Sequence, residues 1–253
     1  MRDEELLEVL REATAAVGQA LAGLEDWGLA GTRPGQYRSD LVADRAGLVV
    51  LDRAGLGVLS EESGLHHPER DILVAFDPVD GSTNASRRLP WWATSVCAVD
   101  VDGPRAAVVV NQVTGTRFEA VRGGGARRDN EPIKPSGATR LADAIIAVSG
   151  WPPRHLGWKQ FRALGAAALD LCSVAAGSLD AYLDCTIDAH GPWDYLGGLL
   201  VCREAGAPVV DAKGRDLVTM GHGDRRTPVA TATLELQAEV LVTAYDPADR
   251  SQR

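Results

Sequence analysis

The stretch "ILVAFDPVDGSTN", from Ile72 to Asn84, constrains this chain more than any other. Its first five residues are apolar and suit a buried strand, and two aspartates, a proline, a glycine and two hydroxyls follow at once. A turn requires only some of those residues. Asp77 and Asp80 stand three apart with Pro78 limiting the backbone between them, so a sharp turn can point both carboxylates to one side. Hard divalent cations such as Mg²⁺ take carboxylate oxygens, keep several waters and accept phosphate oxygens. Gly81, Ser82 and Thr83 then offer consecutive backbone N–H groups, which face an anion if a helix starts there. The same residues also make an ordinary solvated turn, and the choice between the two rests on the remainder of the chain.

Apolar residues at helical spacing predict an amphipathic helix from Asp3 to about Gly28. "GLAGTRPGQYRSDLVADRAG" reads as a loop leading into a short helix. Strands are expected at 72–76, 93–101, 105–113, 116–123, 144–149 and 181–185, with helices from Phe161 to Ala176, from near Trp193 to the stop signals Gly206 and Pro208, and from Leu234 to Val240. No repeat or linker divides the 253 residues, so the chain reads as one unit with halves at about 1–140 and 141–253.

A formal charge of −9 argues against a nucleic-acid surface, which needs a basic face. No apolar run approaches the roughly 20 residues of a membrane span, and "MRDEELLEVLREA" lacks a signal layout, so a cytoplasmic location without membrane partners is expected. Cys97, Cys172, Cys185 and Cys202 are scattered and read as core residues. His66, His67, His155, His190 and His222 lack zinc-helix spacing and read as surface residues.

Two further acidic sites bear on the choice. Glu61 and Glu62 in "VLSEESG" follow an apolar run and by themselves suit a solvated loop; Asp194 in "GPWDYLGGLLVCREAG" suits a plain helix-start carboxylate. In order and spacing, "SEESG", "DPVDGSTN" and "PWDYLGG…EAG" together resemble the inositol monophosphatase family of metal-dependent phosphomonoesterases. "GTRFEAVRGGGARRDNEPIKPS" and "GAAALDLCSVAAGSLDAYLD" extend the resemblance from about Ser39 to Ala212.

The resemblance implies an α+β fold, a layered αβαβα sandwich forming a single phosphatase domain over 1–253, with its site between the halves. It implies two or three Mg²⁺ ions on Glu61, Asp77, Asp80, Asp194 and the Val79 carbonyl. Ser82, Glu61 and Asp44 would orient the attacking water, and the N–H groups of Gly81, Ser82 and Thr83 would hold the phosphate. Asp80, Ala167 and Asp184 would face the leaving group. "TIDAHGP" lengthens the path to Trp193, which makes Asp188 a rival to Asp184, and Ser60 stands where the family commonly has glycine. The implied reaction is hydrolysis of inositol monophosphate by metal-activated water, in a lithium-sensitive homodimer. Histidinol phosphate, fructose 1,6-bisphosphate and 3′-phosphoadenosine 5′-phosphate are rival substrates, and a catalytically weak metal- and phosphate-binding relative is the rival of another class.

Overall fold

The computed structural model describes residues 1–152 and 154–245. The expected amino-terminal helix forms as α1 (Asp3–Ala22), with Leu6, Leu10, Ala13, Val17 and Leu21 buried along one face. It stops short of Gly28. Where a short helix was expected, α2 (Arg38–Arg53) runs for 16 residues. Its buried face carries Ser39, Asp40, Ala43, Asp44 and Gly47 before Val50 and Leu51, and small and polar residues there disguise the helical period.

The strands that follow are β1 (Gly57–Ser60), β2 (Gly64–His66) and β3 (Leu73–Asp80), then, after the one-turn α3 (Ser82–Ser86), β4 (Ala93–Asp100), β5 (Gly103–Asn111), β6 (Arg117–Val121), β7 (Gly125–Arg128) and β8 (Glu131–Pro132). They form one sheet in the order β2-β1-β3-β4-β5-β6-β7-β8, antiparallel except where β1 runs parallel to β3. The second half contributes β9 (Ile145–Ser149), β10 (Gln160–Arg162), α4 (Ala167–Ala175), β11 (Ala181–Asp184), α5 (Pro192–Ala205), β12 (Val209–Asp211), β13 (Pro228–Thr231) and α6 (Leu234–Tyr245). Its sheet has the order β10-β9-β11-β13-β12. The helix expected from Phe161 begins only at Ala167, because Gln160 to Arg162 pair in parallel with β9 as an edge strand.

The period of two in β3 sorts the layers. Val74 and Phe76 face the core under α1 and α2, whereas Ala75 faces the core containing α4 and α5. The opposite side of that second core is closed by Ala147, Tyr182 and Ala230 of the smaller sheet, and α6 packs Leu236 and Val240 on the sheet's far face. The order is therefore helix, sheet, helix, sheet, helix, the expected α+β sandwich. Gly47 sets one spacing that matters later. A methyl group there would lie 2.3 Å from Phe76 Cζ, so glycine lets α2 settle directly onto β3.

Candidate metal and phosphate site

The site grows from the register of two strands. Ser60 pairs with Phe76 in the parallel β1–β3 ladder, and the Glu61 N–H continues it by donating to the Phe76 carbonyl at 3.1 Å. Glu61 is thereby set beside Asp77. In a regular strand Asp77 and Asp80, three apart, would face opposite sides of the sheet. The pairing with β4 shifts by one residue between them, Asp77 opposing Ser95 and Asp80 opposing Ala93. Pro78, which has no N–H to lose, sits in this bulge and its carbonyl accepts from the Thr94 hydroxyl at 3.0 Å. Both aspartates consequently reach the α4–α5 layer.

Helix α5 supplies the next carboxylate. Pro192 opens its first turn, and Asp194 Oδ2 accepts the Gly191 N–H at 2.6 Å, so the residue is the helix-start group its position suggested. It also meets the strands: ligand-capable oxygens of Glu61, Asp77 and Asp194 all lie within 4.8 Å of one another. Asp80 lies alongside and accepts the N–H groups of Ala167 at 3.1 Å and Ala168 at 2.7 Å, capping α4 from the other sheet.

Among the described residues no lysine or arginine pairs with Glu61, Asp77 or Asp194. Burial, and then the neighbouring charges of Glu61, Asp80 and Asp194, push Asp77 well above the usual carboxylate range. Burial, then Asp194 and Glu62, do the same to Glu61. Asp80 is pushed up to about 7 by burial and Asp194, with the two α4 N–H groups and His190 pulling the other way. Three converging carboxylates with no lysine or arginine among them are the donor set a hard divalent cation fits.

Gly81 turns the chain from β3 into α3 at φ 89°, a conformation suited to glycine, and a side chain there would meet the Gly165 carbonyl at 2.9 Å. The first-turn N–H groups of Ser82 and Thr83 follow, where a helix leaves its donors without internal partners. The Ser82 hydroxyl donates to the Val79 carbonyl at 3.0 Å, so that carbonyl shares its lone pairs with a hydroxyl.

Two expectations do not match the placement of the side chains. Asp44, expected beside Ser82, instead accepts the hydroxyl of Ser60, the residue that stands in the family's glycine position. Asp40, one helical turn earlier, takes the place beside Ser82. Burial pushes Asp40 up to about 6, against the Tyr37 N–H and the hydroxyls of Ser39 and Ser82. Asp40, Glu61 and Ser82 line a cavity of about 330 Å³, which Arg33, Trp193 and Arg225 also border. Spacing held the clue, since Asp40 and Asp44 lie one turn apart on the same buried face of α2.

The second correction concerns His190, which is not a surface residue. Its ring lies between Asp184 and Asp194, with Nε2 3.6 Å from Asp184 Oδ2 and Nδ1 3.4 Å from Asp194 Oδ2. Burial works against the charged ring, but Asp194, with Asp184 and Asp80 behind it, outweighs burial and brings it to about 9. The residue lies inside the "TIDAHGP" lengthening, which marks where to look but not which side chain turns inward. Asp184 itself is fully buried at the end of β11 and is pushed up to about 6 by burial. Asp188, its rival, turns away to Lys213 at 2.5 Å and Arg215 at 2.6 Å. Ala167 is buried beside Asp80 through its N–H.

Comparison with known proteins places the chain in a family. The chain is 32% identical over 228 residues to the fructose-1,6-bisphosphatase/inositol-1-monophosphatase of Archaeoglobus fulgidus, covering 86% of this chain and 88% of that one. It is 35% identical over 174 residues to the Nus factor SuhB of Escherichia coli, covering 62% of this chain and 63% of that one. A solved structure of a hypothetical protein from Pyrococcus horikoshii, with similarities to inositol-1 monophosphatase, superposes with a TM-score of 0.81 at 25% identity, covering 95% of this chain and 96% of that one. A profile of the inositol monophosphatase family matches residues 50–245, and the chain belongs to that family.

Proposed function

We propose that this phosphatase-family chain is a Mg²⁺-dependent phosphomonoesterase of a small phosphorylated metabolite, with inositol monophosphate as the leading substrate. The observation that carries the reading is the convergence of Glu61, Asp77 and Asp194 from three elements, three carboxylates met by no lysine or arginine among the described residues and by one imidazole, that of His190 on Asp194. Glu61, Asp77, Asp80 and Asp194, with the Val79 carbonyl, would hold two or three ions. Bound divalent ions supply charge neutralisation at phosphoryl oxygens, activation of water and stabilisation of a leaving alkoxide. The N–H groups of Gly81, Ser82 and Thr83 would orient the phosphate. Ser82, Glu61 and Asp40 would align the attacking water, Asp40 in the role the resemblance gave to Asp44. Asp80, Asp184 and the wall at Ala167 would receive the leaving group, and the ion pairs of Asp188 with Lys213 and Arg215 support Asp184 over Asp188 in that role. No catalytic histidine or cysteine nucleophile enters the scheme, and positioning with electrostatics would provide most of the rate.

The name of the Archaeoglobus relative supports fructose 1,6-bisphosphate as a second substrate, and the name of the Escherichia relative supports keeping a binding role in view. Histidinol phosphate and 3′-phosphoadenosine 5′-phosphate complete the panel. A cytoplasmic homodimer inhibited by lithium belongs to the same proposal; no described helix is long and apolar enough to cross a membrane. The test is phosphate release from these four substrates with Mg²⁺ and with EDTA. Metal-dependent release from one names the leaving group, and no release from any, in folded protein that binds Mg²⁺, favours the binding role.

A further inference from the structure

His190 occupies a position more determined than a loop residue requires. Its backbone exchanges two hydrogen bonds with Arg226, the Arg226 N–H donating to His190 at 2.9 Å and the His190 N–H donating back at 3.3 Å. The imidazole cannot drift far with its main chain held on both sides. The two ring nitrogens then address two different carboxylates. Nδ1 lies 3.4 Å from Asp194 Oδ2, the oxygen that also accepts the Gly191 N–H. Nε2 lies 2.8 Å from the Tyr182 hydroxyl, 3.3 Å from the Ser149 hydroxyl and 3.6 Å from Asp184 Oδ2. That last oxygen is fully buried and has no hydrogen-bond partner, while its twin accepts the Thr186 N–H at 3.0 Å. A buried carboxylate oxygen is costly to leave unpaired, and the imidazole Nε2 stands 3.6 Å from it.

We infer that His190 is a positioning residue that sets the orientation of two functional carboxylates at once, Asp194 through Nδ1 and Asp184 through Nε2. The inference rests on reading Asp194 as a metal ligand and Asp184 as the leaving-group carboxylate. Both described protein contacts to the Asp194 carboxylate fall on Oδ2, so the imidazole and the Gly191 N–H fix that group from the protein side. On the other nitrogen, Nε2 faces the Tyr182 and Ser149 hydroxyls and the Asp184 carboxylate together, so the place of the ring bears on the surroundings of Asp184. Partners behind ligating groups commonly change metal affinity by about 10–100-fold when removed.

The two nitrogens are separable by substitution. In His190→Asn the amide nitrogen takes the place of Nδ1 and keeps a donor facing Asp194; in His190→Gln it takes the place of Nε2 and keeps a donor facing Tyr182 and the Asp184 carboxylate. Titration calorimetry with Mg²⁺ alone, together with KM and kcat on the panel at saturating Mg²⁺, reads the two sides independently. The Gln variant should weaken Mg²⁺ binding about tenfold with KM close to native. The Asn variant should keep Mg²⁺ affinity within about threefold and raise KM about tenfold. Native-like Mg²⁺ affinity and KM in both variants overturns the inference, as does a parallel fall of every quantity with the thermal midpoint, which marks a structural role only. If the native protein hydrolyses nothing and the calorimetric difference between the variants persists, the phosphatase reading fails and the positioning of Asp194 stands. If the native protein turns over with Mg²⁺ and the variants match it, the positioning role alone fails. Absence of Mg²⁺ binding to the native protein overturns both.

Discussion

Two acidic groups near the junction of the halves have opposite surroundings. Glu61, Asp77 and Asp194 converge without a lysine or arginine among the described residues, and Glu61 and Asp77 are pushed well above the usual range, chiefly by burial. Asp188 and Asp211 both belong to the second half. Lys213 and Arg215 hold Asp188 below its ordinary value, and at Asp211 burial is outweighed by Arg215 and the Thr227 N–H. The second group carries its own cations and is electrostatically finished. The first is incomplete until a cation from outside joins it, and this difference, rather than acidity, separates a ligand site from a structural ion-pair network.

The sharpest way to break the comparison is to remove one carboxylate from each group. Asp194→Asn should lower phosphate release by at least about 10²-fold with the fold intact by circular dichroism, whereas Asp188→Asn should keep turnover within about threefold. Equal losses would erase the distinction. Next in size is the pair on α2: Asp40→Asn should cost about tenfold or more in kcat, and Asp44→Asn much less, because Asp44 serves Ser60. The reverse order would restore the role first expected for Asp44.

Stability should move against activity. In metal-free protein, Asp77→Asn relieves a buried, repelled charge and should raise the thermal midpoint by about 3 °C, while Arg215→Ala should lower it slightly through the loss of part-exposed ion pairs. The pH response carries a definite sign. Asp40 and Asp184 rise to about 6 and Asp80 to about 7, so in this range the folded state binds more protons than the unfolded chain. Their contribution is present below the ordinary carboxylate pKa and is lost as pH climbs through 6 to 7. The midpoint of the metal-free protein should therefore fall between pH 5 and 8, and saturating Mg²⁺ should flatten that fall. A flat metal-free profile would show that the cluster is not strained by its own charge.

Much of the fold was readable because its strands are β-branched runs between turn residues, α1 shows apolar residues at helical spacing and α5 ends on clear stop signals. The edge strand β10 escaped notice because three exposed residues form no apolar pattern. Helix α2 was underestimated because Ser39, Asp40 and Asp44 are buried for what they bind and not for their hydrophobicity. Only "DPVDGSTN" stood out as an excess over turn chemistry; Glu61 and Asp194, ordinary by themselves, joined it through the order and spacing of the three segments. What failed was phase. Choosing Asp40 over Asp44 required knowing that Ser60 holds Asp44 and that Gly47 lets the helix lie close to Phe76, and both facts come from tertiary contact. His190 was hidden for a similar reason, since the direction of a loop side chain depends on the strand pairing made by Arg226.

The cap that Asp80 places on α4 has a consequence for the order of events during synthesis. Glu61, Asp77 and Asp80 leave the ribosome well before α4 and Asp194 do, and until then Asp80 has no N–H groups of Ala167 and Ala168 to meet. A nascent first half holds three carboxylates still open to water, where their mutual repulsion is weak and their grip on an ion is poor. The cap on α4 thus ties Asp80 to the second half, and the site exists only once both halves are in place.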